Sequence, residues 1–287
     1  MKPLEGKVDL HFHTECSGDS YMPLYAIIPA ALRLGLAAIA KTDHDSITGC
    51  SWLAEQALAG GVEFISAVEL STAEHWHVLG YYVDTENPGL LAYTETEKAY
   101  GRRLLRANVA AWKDAGGAMP NDIDGMLAFV RSFRPGGEIS LKQVADFLAS
   151  RGFYPDAHSA VEDAGEKLKG FVPPPNTPPP ASEAVKTVLN AGGVAVFAHP
   201  HPRRADDVER LLDAGLAGVE GLNVKALAPE HQDFWRTYCS ASGLALTGGT
   251  DHHGMVEYWN VSYSTVADYS AVQGLKDAVR RIHGRKV

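Results

Sequence analysis

Cysteine is scarce in this chain of 287 residues, which contains only Cys16, Cys50 and Cys239. Three scattered thiols are too few for the disulfide framework of a small secreted domain or for a zinc ribbon. The protein is therefore expected in a reducing compartment, the cytoplasm.

Long apolar runs and extended basic runs are also missing. No segment approaches the roughly 20 apolar residues that span a bilayer, and the opening "MKPLEGKVDL" lacks the apolar stretch of a signal peptide. The net charge is −9, and the one basic cluster is "RRIHGRK" near the C-terminus. Because such a charge repels polyanions, we expect no stable nucleic-acid complex, whereas local cations can still hold a small phosphorylated substrate. The lack of a long apolar run predicts that the protein does not associate with a membrane.

Strand-like and helix-like patterns alternate along much of the chain. The strand-like runs are "KVDLHF", "LAAIAKT", "VEFISAVEL", "HVLGYYV", "GGVAVFAHP", "GVEGLNV" and "LALTGGTDHH". Helical patterns such as "PLYAIIPAALRLG" and "ADDVERLLDAG" end near a glycine, as helices commonly do. This alternation predicts an α/β fold with a parallel sheet and right-handed crossovers, closed or nearly closed into a barrel.

Residues 93–183 interrupt this alternation with polar helical patterns and end in the tract "GFVPPPNTPPPAS". The proline tract is typical of an extended, semi-rigid connector. We therefore predict a barrel formed by residues 1–92 and 184–287, with residues 93–183 as a mainly helical insert that caps one face.

Histidines and acids lie at the predicted strand ends. All but one follow a strand's carboxyl end, where a parallel barrel gathers its active site. Imidazoles and carboxylates together suit zinc, manganese or iron, and residues i and i+2 of a strand share a face and can chelate one ion. Nine such groups exceed the needs of one metal, which predicts two or three ions. The residues are His11, His13, Asp19, His44, Glu69, His77, His199, Asp251 and His253.

Each of these signals has a simpler interpretation when taken alone. A His-x-His pair occurs by chance on half-buried strands, "TDHDSITG" is also typical of a helix N-cap, and the histidine of "AHP" can be a core residue before a turn. Glu69 is the most informative, because burying an unpaired carboxylate at a strand end is costly. The whole set in one order favours a metal centre.

The same segments resemble the PHP family, the polymerase and histidinol phosphatase superfamily of metal-dependent phosphoesterases. The matching motifs are "DLHFHTECSGDS", "KTDHDSITG", "AVELS", "HVLGYYVD", "VFAHP" and "GGTDHH", within residues 8–84 and 185–254. The resemblance implies a distorted (β/α)7 barrel with a trinuclear metal centre that hydrolyses phosphate esters. It also implies that the nine residues named above are the metal ligands, with Glu69 bridging.

The overall arrangement, with a helical insert after the fourth strand, is similar to that of one subgroup of the family. This subgroup contains small phosphatases that act on adenosine monophosphate or on nucleoside 3′,5′-bisphosphates. That resemblance implies an Ile-Ser-Arg-x-His stretch whose arginine binds the substrate phosphate. This chain has "EISLKQVADF" instead, with Leu141 in place of the arginine and Gln143 in place of the histidine. We expect Arg203 and Arg204, which follow His199 closely, to bind phosphate instead. Cations of the insert are alternatives with a simpler interpretation as surface charges: Arg131, Arg134, Lys142, Lys167 and Lys169.

The predicted reaction is hydrolysis of a small phosphomonoester by a metal-bridging hydroxide held by Glu69 and Asp251, with Mn²⁺, Fe²⁺ or Zn²⁺ as cofactor. One alternative is a phosphodiesterase that acts on a small cyclic phosphate or a short oligonucleotide, since the acidic net charge opposes long nucleic acids. Another is a non-catalytic metal-binding module. His75 is an alternative to His77 as a ligand.

Overall fold

The computed structural model describes residues 6–134, 136, 138–172, 178–223, 228–254 and 267–287. The proline tract that we interpret as a connector lies partly outside these residues. Seven strands and ten helices run through the described part of the chain: β1 (Lys7–Phe12), α1 (Leu24–Leu34), β2 (Leu36–Lys41), α2 (Cys50–Gly60), β3 (Glu63–Ser71), β4 (His77–Tyr81), α3 (Pro88–Asp114), α4 (Ile123–Arg131), α5 (Leu141–Ser150), α6 (Ala157–Lys167), α7 (Ala181–Asn190), β5 (Val194–Phe197), α8 (Ala205–Leu212), β6 (Gly218–Glu220), α9 (Pro229–Ser242), β7 (Ala245–Thr247) and α10 (Ser270–His283).

The strands form one seven-stranded sheet in the order β1 to β7. Strands β1–β3 and β5–β7 pair in parallel, but β4 is antiparallel to both of its neighbours. The predicted parallel pairing is therefore wrong for β4, the strand that begins at His77, which was the one exception among the predicted strand ends. Residues 72–76 join β3 to β4, a link far shorter than the dozen or more residues of a parallel crossover. The reversal places the first residue of β4, His77, at the same edge as the carboxyl ends of β3 and β5.

The sheet curls so that the segment after β7 meets β1. The backbone N–H of Leu10 donates to Gly248 O at 3.3 Å, and that of His13 donates to His252 O at 2.9 Å. Glycine is required at position 249, since a Cβ there would lie 2.4 Å from the His11 Cβ. This is the α/β architecture that the distorted (β/α)7 barrel describes.

Apolar side chains cover both faces of the curled sheet. One face packs on α10 around Val272 and Leu275, and the other packs on α1 and α2 at one end and on α7–α9 at the other. Helix α1 ends as the sequence predicts, because Gly35 adopts φ 69° and donates its N–H to the carbonyls of Ala31 and Leu32. The strand ends are thereby held on a rigid frame.

Helices α3–α6 have an apolar cluster of their own, which includes Val109, Trp112 and Leu148. Trp112 Nε1 donates to Asp163 Oδ2 at 2.7 Å, so its polar edge is satisfied inside that cluster. Helix α3 begins at Pro88, capped by Asn87, and runs unbroken past residue 93. The division into a barrel and an insert with that boundary stays a prediction.

Residues 13–23, called here the Asp19 loop, connect β1 to α1 and are held by this helical region. Arg134 donates to the carbonyl oxygens of Ser17 and Ser20, and the Tyr21 hydroxyl donates to Asp146. No helix within the described residues is both long and apolar enough to cross a membrane.

Candidate metal centre

The carboxylate of Glu69 is the centre of the cluster at the strand ends. The residue is fully buried. Its Oε2 lies 3.1 Å from His11 Nε2, 3.2 Å from His13 Nε2 and 3.4 Å from His44 Nδ1. Both oxygens of one carboxylate are thus surrounded by imidazole nitrogens, because Oε1 faces a second set of histidines.

That second set comes from β4 and from the end of β5. His77 Nδ1 is 3.0 Å and His199 Nε2 is 3.3 Å from Glu69 Oε1. His75 is exposed and lies in the link before β4, whereas His77 is the first residue of that strand. Of the two histidines considered for this position, His77 is the one that reaches the cluster.

Two further carboxylates complete the arrangement. Asp251 Oδ1 lies 3.3 Å from His13 Nε2 and 3.6 Å from His11 Nε2. Asp19 Oδ2 lies 3.1 Å from His253 Nε2 and 3.4 Å from His44 Nε2. All nine side chains singled out from the sequence therefore meet at one end of the barrel.

Among the described residues, these side chains form three groups, and within each group the ligand atoms lie within 4.8 Å of one another. Glu69, His13 and His44 each belong to two of the groups, so neighbouring groups share ligands. The groups are His11, His13 and Glu69; His44, Glu69 and His77; and His13, Asp19, His44 and His253.

Hydrogen bonds orient several of the imidazole rings. His11 Nδ1 lies 2.9 and 3.0 Å from the two oxygens of Glu220, the last residue of β6, and this leaves Nε2 to face the cluster. His253 Nδ1 donates to the carbonyl oxygen of Asp251 at 2.9 Å, and its Nε2 faces Asp19. Such partners fix the tautomer of a metal-binding histidine and raise its basicity.

Two of the nine residues have a strained backbone. His199 and Asp251 adopt φ of 33° and 49°, a region that side-chain-bearing residues rarely occupy. The His199 N–H donates to Glu220 Oε2 at 3.0 Å, and the Asp251 N–H donates to His11 O at 2.7 Å. These bonds hold both side chains towards the cluster despite the conformational cost.

The ionisation of the buried groups favours cation binding. Burial alone would raise the pKa of Glu69, but the neighbouring His11, His44 and His77 hold it well below its ordinary value. The pKa of Asp251 is lowered in the same way by His11 and His13 against the effect of burial. Both carboxylates therefore stay ionised inside the protein, as metal ligands must.

His44 and His13 differ in the direction in which their surroundings shift the pKa. Burial lowers the pKa of His44 to about 4, so this ring is neutral and keeps a lone pair for a metal. Burial also opposes protonation of His13, but its bonds to Asp251 and Glu69 raise its pKa to about 9. A cation that replaces the proton of His13 would satisfy the same carboxylates, so metal binding here releases protons.

The donor set fits a divalent metal. It combines imidazoles with carboxylates, the ligands that zinc, manganese and iron accept. His77 Nδ1 is buried and lies 3.0 Å from Glu69 Oε1 without hydrogen-bond geometry, and His13 Nδ1 is also buried without a partner among the described residues. Nitrogens and oxygens that face each other without hydrogen bonds are what a shared cation would explain.

The two arginines predicted to bind phosphate differ in their surroundings. Arg204 Nε donates to Asp207 Oδ2 at 2.8 Å, and its guanidinium lies 4.7 Å from the centre of the Trp76 ring. Arg203 is exposed, and its Nε lies 3.4 Å from His201 Nδ1. Phosphate binding by either arginine stays a prediction. Arg204 is paired with a carboxylate, whereas the side-chain partner of Arg203 is a histidine nitrogen.

A cavity of about 290 Å³ lies between the cluster and helix α3, with His44 on one side. Its wall also contains Leu141, the position where the resemblance implies a phosphate-binding arginine. The neighbouring Gln143 accepts from the Ser140 N–H at 2.8 Å and thus caps α5, so that residue has a structural role.

Glu97 lines the same cavity, and its pKa yields a prediction about stability. Burial, with a contribution from the Asp45 carboxylate, raises the pKa of Glu97 to about 7, above the value of about 4.3 for an exposed glutamate. A carboxyl with a raised pKa binds its proton more tightly in the folded chain, so folding stability falls as the pH rises from about 4 through 7. Glu97→Gln removes this loss. We expect urea denaturation of the metal-free proteins to show the variant gaining on the wild type between pH 5 and pH 8.

An equal difference in stability between the two proteins at both pH values would contradict this prediction. Glu55→Gln, at an exposed position of α2, is the control that should show no pH-dependent difference.

Sequence reasoning missed two acidic residues of the site. Glu220 lies in a run that was interpreted only as a strand, although a glutamate at a strand end carries the same signal that singled out Glu69. Glu97 lies in a polar helix with many charges, and no pattern in the sequence distinguishes it from its exposed neighbours.

The fold and the site together are those of a metal-dependent hydrolase. A family model for the PHP domain matches residues 9–154. A 3′,5′-nucleoside bisphosphate phosphatase of Chromobacterium violaceum is 28% identical over 263 residues, which cover 86% of this chain and 87% of the relative. A 5′-3′ exoribonuclease of Haemophilus influenzae is 30% identical over 200 residues, which cover 68% and 69%.

The chain is also similar to a solved structure from Bifidobacterium adolescentis, described as a metal-dependent phosphoesterase, with a TM-score of 0.76 and 25% sequence identity. The match covers 96% of this chain and 98% of the Bifidobacterium chain. The chain therefore belongs to the PHP domain family of metal-dependent phosphoesterases, as its motifs indicated.

Proposed function

We propose that this phosphoesterase hydrolyses the phosphomonoester of a small phosphorylated metabolite, of the nucleoside monophosphate or 3′,5′-bisphosphate type. The observation that carries the proposal is the meeting of nine imidazole and carboxylate side chains, with Glu69 at their centre, beside a cavity of about 290 Å³. That volume is at the lower end for ligand pockets, which favours a small substrate. The similarity to the Chromobacterium bisphosphate phosphatase supports the same class.

We assign two or three divalent ions, Mn²⁺, Fe²⁺ or Zn²⁺, to the nine residues. Support comes from the sharing of Glu69, His13 and His44 between groups of ligand atoms, which is typical of neighbouring ions with common ligands. When bound, such ions supply charge neutralisation at the phosphoryl oxygens and a water of lowered pKa.

The chain's own groups hold this arrangement in place. Glu220 keeps the His11 proton on Nδ1 and directs Nε2 to the cluster. Glu69 Oε2 lies 3.1 Å from His11 Nε2 and Asp251 Oδ1 lies 3.3 Å from His13 Nε2, so these two carboxylates would hold, together with the imidazoles, the ions that activate the attacking water. Arg203 is the cation we assign to the substrate phosphate, since Arg204 is bound to Asp207.

A phosphodiesterase acting on a short oligonucleotide or a cyclic phosphate is the second candidate. The similarity to the Haemophilus exoribonuclease at 30% identity favours it. The net charge of −9 and the small cavity favour the monoester.

Removal of metal is the first test of the proposal. We expect chelation to abolish phosphate release and Mn²⁺, Fe²⁺ or Zn²⁺ to restore it, because the ions would supply the activated water and would neutralise the charge on the phosphoryl oxygens. The reloaded protein would be assayed with nucleoside monophosphates, 3′,5′-bisphosphates, cyclic phosphates, short oligonucleotides and phenyl phosphate. Full turnover in the metal-free sample would reject the proposal, and turnover of diesters alone would favour the second candidate.

A further inference from the structure

A lysine side chain is completely buried at the end of strand β2. Lys41 lies on the same face of the strand as Ile39, and that face packs on helices α1 and α2 through apolar side chains. Its ammonium nitrogen lies 2.6 Å from Asp43 Oδ2 and donates to the carbonyl oxygen of Ser46 at 3.0 Å. Burial would lower the pKa of Lys41, but the Asp43 carboxylate raises it above its ordinary value, so the ammonium stays charged.

Stability alone does not explain why this ion pair is buried. Asp43 is as fully buried as Lys41, and both groups lose their contact with water when the chain folds. Replacing such a pair by apolar side chains of similar volume is often neutral or stabilising. What an apolar pair would not supply is a carboxylate held in one orientation.

The carboxylate of Asp43 connects two segments that carry candidate metal ligands. It accepts hydrogen bonds from the backbone N–H of Thr14 and, at 2.7 Å, from the Thr14 hydroxyl. Thr14 directly follows His13, and Asp43 directly precedes His44. The ring centroids of these two histidines lie 4.6 Å apart. The hydrogen bonds to Asp43 therefore fix the distance between the segments that present the two rings.

The backbone of Asp43 reaches a third candidate ligand. Its carbonyl oxygen accepts from the Glu69 N–H at 3.3 Å. Glu69, His13 and His44 are the three residues that each belong to two groups of ligand atoms. A displacement of Asp43 would therefore disturb all three of the shared ligands.

We propose that Lys41 is a positioning residue of the metal centre. Its ammonium fixes the carboxylate of Asp43, and Asp43 in turn sets the spacing of the shared ligands His13, His44 and Glu69. The inference rests on the metal binding of the proposed function, and it adds to that function a residue that acts on the ligands through its neighbour.

The first test removes the ammonium group. Lys41→Met keeps most of the length of the side chain, but it leaves the Asp43 carboxylate without an opposite charge. We expect the carboxylate to be displaced and Zn²⁺ to bind about 10- to 100-fold more weakly, the usual effect of losing a group that orients a ligand. Titration of the metal-free protein against a chromogenic chelator measures the affinity, and circular dichroism shows whether the variant is folded. Wild-type affinity in the folded variant would overturn the inference.

A neutral double variant separates orientation from charge balance. Lys41→Met combined with Asp43→Asn removes both charges of the pair, so it should fold even if Lys41→Met alone does not. Asparagine has one oxygen for the two donors of Thr14, and we expect the affinity for Zn²⁺ to stay at least roughly tenfold below that of the wild type. Recovery of the wild-type affinity would show that Lys41 only balances charge and would overturn the inference.

A third comparison asks whether Lys41 and Thr14 act through the same carboxylate. Thr14→Val keeps the shape of the side chain and removes the hydroxyl that donates to Asp43. If both residues act on Asp43, the variant with Lys41→Met and Thr14→Val should lose no more Zn²⁺ affinity than about the larger of the two single losses. Two losses that multiply would mean independent effects and would overturn the inference.

Lys276→Met is the matched control. Lys276 is also paired with a carboxylate, Glu63, at 2.8 Å, but this pair lies at the opposite end of β3 from Glu69. Its replacement should lower thermal stability and leave both the Zn²⁺ affinity and the turnover of phenyl phosphate as in the wild type. A loss of affinity equal to that of Lys41→Met would show a general effect of stability and would overturn the inference.

Failure of this inference can be told from failure of the proposed function. If the wild type binds Zn²⁺ but hydrolyses no phosphate ester under any metal, the proposed function fails, and the affinities of the variants still decide the role of Lys41. If the wild type hydrolyses phenyl phosphate and Lys41→Met binds Zn²⁺ equally well, only this inference fails. A wild type that binds no divalent metal would overturn both.

Discussion

Glu69→Gln is expected to lower kcat by about 10³-fold or more and to reduce the metal content of the same sample. The carboxylate is fully buried, with Oε2 facing His11 and His13 and Oε1 facing His77 and His199. Glutamine has nearly the same shape, but it lacks the negative charge that two groups of ligand atoms share. Turnover of phenyl phosphate and elemental analysis of the purified variant measure the two losses.

A circular-dichroism spectrum equal to that of the wild type would separate loss of metal from loss of fold. Glu55→Gln on the outer surface of α2 should retain both metal and activity. If Glu69→Gln bound its full complement of metal and turned over substrate at the wild-type rate, Glu69 would not be a ligand.

Glu220→Gln is expected to weaken metal binding by about 10- to 100-fold, the usual effect of losing a group that orients a ligand. Three donors share the two oxygens of Glu220: His11 Nδ1, the His199 backbone N–H and Asn223 Nδ2. A glutamine side chain has one amide oxygen and one amide NH2 group. At least one of the three donors would therefore face the NH2 group, which cannot accept a hydrogen bond. Titration of the metal-free protein with Zn²⁺ against a chromogenic chelator measures the change.

The control for this change is Glu63→Gln at the first residue of β3, the opposite end of the strand from Glu69. Glu63 pairs with Lys276 at 2.8 Å, so its replacement should lower thermal stability and leave metal affinity unchanged. Wild-type metal affinity in Glu220→Gln would show that His11 is oriented without it.

The candidate metal ligands could be predicted from the sequence because the ends of strands are marked locally. A histidine or an acid at the end of a run of apolar residues indicates, to within about two residues, where the strand ends and which group lies there. His11, Glu69 and His199 illustrate this, and the structure brings all three together. The prediction needed no knowledge of distant contacts.

The direction of β4 and the burial of Glu97 cannot be recognised from the apolar pattern of the segments that contain them. An apolar run such as that of β4 has no direction of its own, and only the short link after Ser71 excludes a crossover helix. Glu97 becomes distinctive only in the folded chain, where α3 lies across a cavity from His44 and this side chain is buried. Burial of one glutamate among many on a helix is set by tertiary packing, which the local pattern does not record.

The hydrogen bonds from Arg134 to the Asp19 loop make the position of that loop depend on the helical region α3–α6. Gly136 also sits against this loop, where a Cβ would lie 2.4 Å from Cys16 O. A hybrid made by recombination, with helices α3–α6 taken from a relative, would inherit a foreign support for Asp19. We expect such a hybrid to keep the Asp19 carboxylate close to His44 and His253 only if residues 13–23 are exchanged together with the helices.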